Sequence, residues 1–178
     1  MRRTLALTLL LAACRPAAQP APATTTPEPT KPTSLLAGFD GPTTDPVADE
    51  AQRLADGPLA ESAAREAPGM QLDGDLIAGK LAPGEVVEQE IRLAPGRCYT
   101  LIAVGGSGIT ELDAEILRMN PVRGKGDALA SDTATGNIAV VGGGGSCFTF
   151  DGKTPTAARF VLRARSGSGV AVSQLYAR

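Results

Sequence analysis

The sequence predicts an all-β sandwich over residues 70–178, carried on an N-terminal tether. Three observations predict it. Beyond Gly69, apolar and β-branched residues come in short runs instead of at helical spacing. Gly- and Pro-containing turn signals separate these runs by roughly eight to twelve residues. Several runs alternate apolar and polar residues, as strands with one buried face do. That spacing fits about eight or nine strands.

The chain begins as an address. Arg2 and Arg3 precede an apolar run, Leu5 to Ala12. The run is too short for a spanning helix, which needs about 20 apolar residues. Leu11-Ala12-Ala13-Cys14 follows. This resembles the bacterial lipobox, in which small residues enter a signal-peptidase groove and the cysteine thiol takes diacylglycerol. The resemblance implies a signal peptide at 1–13, cleavage before Cys14, and a lipid anchor carrying acyl chains such as palmitate on Cys14. Two or more chains anchor stably where one does not. Arg15, not an aspartate, follows the cysteine. The resemblance therefore points to the outer membrane, with the domain on its periplasmic or surface side. Cleavage removes Arg2 and Arg3 and no acid, taking the formal charge from −2 to −4.

Residues 14–44 read as a linker. Pro16, Pro20, Pro22, Pro27, Pro29 and Pro32 alternate with Thr and Ala. Such a composition buries no core and favours extended polyproline II, at about 3.1 Å per residue. Gly38, Gly41 and Pro42 continue the irregular chain. Residues 45–69 form a short helical or irregular segment. Asp45-Pro46 supplies an N-cap and a first-turn proline. Val47, Ala51 and Leu54 follow at helical spacing, and Gly57-Pro58 is expected to stop the helix. Leu59 to Ala67 then forms a second short helix, ended by Pro68-Gly69. Both are marginal in isolation.

The strands follow. Gln71 to Ala78 is expected as the first, with a turn at Leu81-Ala82-Pro83-Gly84. In Val86 to Leu93, Val87, Ile91 and Leu93 share one face; Val86, Glu88, Glu90 and Arg92 share the other. Cys98 to Val104 is apolar on both faces, the pattern of a central strand covered from both sides. Ile109 to Met119 turns Leu112, Ala114 and Ile116 one way and Glu111, Asp113 and Glu115 the other. Asn120-Pro121 ends it, before a basic, glycine-containing loop at 122–127. Short strands are expected at 128–131, 137–141 and 147–150. Phe160, Leu162 and Ala164 share a face, opposite Arg163 and Arg165. Gly167-Ser168-Gly169 turns the chain into Val170 to Tyr176.

The order of these motifs resembles the bacterial pre-peptidase C-terminal domain. The likeness runs through Gly79-Lys80-Leu81, Leu93-Ala94-Pro95-Gly96, Glu111-Leu112-Asp113-Ala114-Glu115-Ile116-Leu117, Leu129-Ala130-Ser131-Asp132 and the hairpin at Gly167 to Gly169. It departs where Glu111 stands for the first aspartate and where Ala158-Arg159-Phe160 replaces a Gly-Tyr pair. The resemblance covers residues 70–178. It implies a jelly-roll-like antiparallel β-sandwich, usually an accessory module, and does not imply catalysis.

Composition narrows the chemistry. The sequence has no histidine, the commonest general base and zinc ligand. Its acidic balance and lack of a Lys/Arg block exclude a basic nucleic-acid surface. With Cys14 lipidated, Cys98 and Cys147 remain as an even pair in an oxidising compartment. No C-x-x-C is present, which favours a structural disulfide over a reactive thiol. Asp113 and Asp132, with Glu111 and Asp127, are calcium candidates against an otherwise cofactor-free reading. Gly142 to Gly145 lacks the Lys-Ser/Thr of a phosphate loop and opens a strand, so it reads as a hairpin loop. No catalytic residue stands out.

The expected function is a lipid-anchored envelope module that is not an enzyme and has a protein, glycan or peptidoglycan partner. One alternative is an enzyme, or an accessory subunit of a secreted hydrolase, with a carboxylate-based site. Another is a subunit of an envelope assembly that docks through residues 45–67.

Overall fold

The computed structural model describes residues 46–119 and 126–178. The signal peptide, Cys14, the linker and Asp45 lie outside the described residues, as does most of the loop expected at 122–127. The described chain opens with a helical segment. Helix α1 (Pro46–Leu54) leads through a π-helical turn (Ala55–Leu59) into helix α2 (Ala60–Glu66). Gly57-Pro58 therefore does not stop the helix. A proline ring clashes with the carbonyl four residues back, and a wider turn relieves that clash. Ala60 N–H reaches the Ala55 carbonyl across this π turn. The real stop is Pro68-Gly69, with Gly69 at φ 73°.

Ten strand segments follow: β1 (Gln71–Leu72), β2 (Ile77–Leu81), β3 (Val86–Leu93), β4 (Cys98–Gly105) and β5 (Ile109–Arg118), then β6 (Asp127–Ser131), β7 (Ile138–Val141), β8 (Phe148–Thr149), β9 (Thr156–Gly167) and β10 (Gly169–Ala177). All pairings are antiparallel. The segments fill eight positions. β1 and β2 pair with successive parts of β10, and β8 and β7 with successive parts of β4. One sheet thus runs β1/β2–β10–β4–β7/β8, and the other runs β3–β9–β5–β6. The late strands β9 and β10 lie between early ones in both sheets. This is the strand order of a jelly roll, as the sequence led us to expect.

Two strand boundaries differ from expectation. The first strand is broken at 73–76, and β2 runs on through Leu81. Leu81 is buried and belongs to the core, so the turn begins only at Ala82. There Glu85 N–H bonds the Ala82 carbonyl, and Ala82 N–H bonds the Glu85 carboxylate.

β4 has no exposed face. Tyr99, Leu101 and Ala103 enter the core between the sheets, with Leu112, Ile116, Phe160 and Leu162. Ile102 and Val104 point the other way, with Val170 and Val172 of β10. Ala51, Leu59 and Ala67 of the helical segment cover them. The segment from 46 to 66 is therefore ordered on the sandwich and completes it. Its Ala-rich face, thin by itself, suits close approach to a sheet. Burying a Leu or Val side chain contributes about 1.5–3 kcal/mol, so both partners gain.

Two of the chain crossings between the sheets lie back to back. Gly106-Ser107-Gly108 carries β4 into β5, and Gly167-Ser168-Gly169 carries β9 into β10. Ser168 N–H bonds the Gly108 carbonyl at 2.8 Å, and Gly106 N–H bonds the Val170 carbonyl at 2.7 Å. A Cβ on Gly108 would overlap the Ser168 carbonyl oxygen. We expect Gly108→Ala to lower stability by about 2–4 kcal/mol, read as the shift in urea midpoint at unchanged slope. A change within about 0.5 kcal/mol would mean the corners are not in contact.

Candidate functional site

The two outer faces differ. The helical segment covers that of the β10–β4 sheet, while that of the β3–β9 sheet carries charge. β9 brings Arg159, Arg163 and Arg165, flanked by Glu88 and Glu90 of β3 and by Asp113 and Glu115 of β5. Arg159 Nη1 donates to Glu88 at 2.6 Å and Arg165 Nε to Asp113 at 2.9 Å. Solvent-exposed pairs of this kind contribute about 0–1 kcal/mol each. Long side chains also shield Val161, which points outward yet is 5% exposed. This is a neutralised ladder, with no nucleophile–base pair in it.

The calcium candidates do not converge. Asp113 is committed to Arg165. Asp132 Oδ1 instead accepts the backbone N–H groups of Ala134 and Val140, at 3.0 and 3.2 Å. Glu111 Oε2 accepts Gly136 N–H at 2.8 Å. Asp127 opens β6 and is exposed. These last two bonded acids organise the connection from β6 to β7. Among the described residues, no three acidic, histidine or cysteine side chains gather as a metal site would require.

Cys98 and Cys147 form the expected disulfide, with Cα atoms 5.5 Å apart. It lies within one sheet. Cys98 begins β4, and Cys147 immediately precedes β8, which pairs with β4. Cys98 also exchanges both backbone bonds with Arg178, each at 3.0 Å. One residue therefore gathers β4, the β7–β8 connection and the last described residue. Beside it, the buried Tyr99 hydroxyl accepts Ala94 N–H at 2.7 Å. The Arg97 guanidinium lies 5.9 Å from the Tyr99 ring centre and bonds Asp73 at 3.2 Å. The composition gave no signal for these tyrosine and arginine ties, because their partners are brought in by the fold.

Gly142 to Gly145 forms the β7–β8 connection. Thr100 Oγ1 donates to the Gly142 carbonyl at 2.5 Å. A Cβ on Gly143 would stand 2.7 Å from the Glu66 carboxylate. A carboxylate at that spot repels a phosphate, so the loop is a packing feature between the helical segment and the sheet.

Neither a protein-family model nor a curated protein matches the chain. Among solved structures, the chain is similar to the pre-peptidase C-terminal domain of collagenase from Bacillus anthracis, determined at 1.0 Å. The two share 14% identity with a TM-score of 0.44, over 58% of this chain and 89% of that one. That is the family its strand motifs resemble. The assignment of a sandwich rests on the sheets described above.

Two outcomes follow from these groups. The disulfide closes a span of 49 residues, which in the chain-entropy treatment contributes about 4 kcal/mol. Replacing both Cys98 and Cys147 by Ala should lower the unfolding free energy by about that amount, and added reductant should then have no further effect. An unchanged denaturation midpoint would contradict it. Burial raises the Tyr176 phenol above its ordinary value of 10.0. Below that value the phenol is neutral in both states and the native chain keeps the full benefit. Above pH 10 the unfolded chain ionises first, so stability falls as pH climbs toward the folded value. Tyr176→Phe should flatten that fall in an alkaline denaturation series.

Proposed function

We propose that the protein is a lipid-anchored component of the bacterial cell envelope whose β-sandwich is a non-catalytic binding or structural module. The observation that carries the reading is the partition of the three cysteines. Cys14 directly follows the leader read at 1–13 and precedes a proline-rich stretch; the other two are joined in a disulfide inside the sandwich. A structural disulfide belongs in an oxidising compartment, and a lipidated cysteine would fix the domain to its membrane. No helix among the described residues is long and apolar enough to cross a bilayer, so a lipid on Cys14 would supply the attachment. Arg15 favours the outer membrane.

The non-catalytic part of the reading draws on the separate engagement of Asp113, Asp132 and Glu111 and on a sequence without histidine. Of the partner classes, protein is favoured over glycan or peptidoglycan. Sugar recognition commonly uses an exposed ring. Among the described residues, Tyr99, Phe150 and Phe160 are buried, and Phe148 and Tyr176 are partly buried.

Docking through residues 45–67 takes a narrower form. The apolar side of that segment faces its own sheet. A partner would meet the side bearing Gln52, Arg53 and Asp56, which is polar and exposed.

The anchor is tested with the full-length chain in a lipoprotein-processing bacterium. Radiolabelled palmitate should enter the wild type and not Cys14→Ser, and wild-type label should band with outer-membrane density. Equal labelling of both chains, or none in either, would overturn the anchor.

A further inference from the structure

The sandwich has four sheet edges, and they are not alike. The β1/β2 edge is broken at 73–76, and the β7/β8 edge at 142–147. β6 has five residues and meets β5 through a register shift. Breaks, short strands and irregular pairing are how edges are kept from joining other chains. β3 has none of them. It runs eight residues without proline, and each residue from Val86 to Leu93 is in continuous register with β9. Its other side pairs with no strand among the described residues.

We propose that β3 is a self-association edge, pairing antiparallel with β3 of a second copy about a two-fold axis through Ile91. Charge selects both the partner and the register. A two-fold axis perpendicular to the sheet keeps inner residues against inner ones, so the axis must pass through a residue of the strand. An axis at Gln89 sets Glu88 against Glu90 of the second copy. An axis at Glu90 sets that glutamate against itself. Like charges directly opposite destabilise a strand pair. The axis at Ile91 instead sets Glu90 against Arg92 of the second copy, twice over by symmetry. Both residues are exposed, and neither has an ion-pair partner among the described residues. On the inner side the same register joins Ile91 to its copy, extending the cover over a rim residue that is only partly buried. The contact is isologous and closes at two chains.

The test uses the full-length chain in detergent, with mass measured by light scattering. Wild type should show twice the protein mass of one chain. Glu90→Arg and Arg92→Glu should each return the mass to that of one chain, while the double variant should recover the doubled mass. Association through acyl chains would ignore these charges, so dimers that survive both single reversals overturn the proposal. A wild-type monomer at the highest attainable concentration overturns it too. So does a double variant that stays monomeric, or a wild-type complex whose added mass is another protein's.

Discussion

Strand β4 has no polar side, and the rest of the domain is arranged to satisfy that. Leu101 and Ala103 look into the space between the sheets, where β5 and β9 meet them. Ile102 and Val104 look outward, where a sheet usually meets water. An uncovered outer face would leave an apolar patch on both central strands. The helical segment answers this, and so its proline is absorbed in a π turn instead of ending it. Two sheets and one helical layer then give three layers for about 130 residues, which buries a useful share of a short chain.

The covering of one face leaves the other to meet solvent. On that side the arginines of β9 are balanced by acids from both neighbouring strands. The balance keeps the face soluble without giving it a strong field of either sign.

Much of this fold was legible in the sequence. Alternation placed β3 and β5 to within a residue and gave β9 its inner and outer faces, because each has one wet face. The double-sided apolar run of β4 announced a central strand, and the even cysteine pair announced its tie. What periodicity missed has a common cause. The continuation through Pro58 and the extension of β2 to Leu81 are decided by tertiary burial, which outweighs local stop signals. The calcium candidates failed to converge because the carboxylates were drawn to separate partners, Arg165 for one and backbone amides for two others. Sequence spacing fixes which face a side chain takes, not what waits there. The staple was readable at Cys98; the pairing of that residue with Arg178 was not, since nothing local links the two.

The placement of β10 has a consequence for how the molecule comes into being. It is the last of the described strands, yet it occupies an interior position, with β4 on one side and the earliest strands on the other. No stable sheet on that side exists until the nine residues of β10 are free to enter. Such topology forms slowly, because distant segments must meet before any contact rewards them. A chain that emerges from a ribosome N-terminus first therefore keeps this sheet open until β10 has emerged.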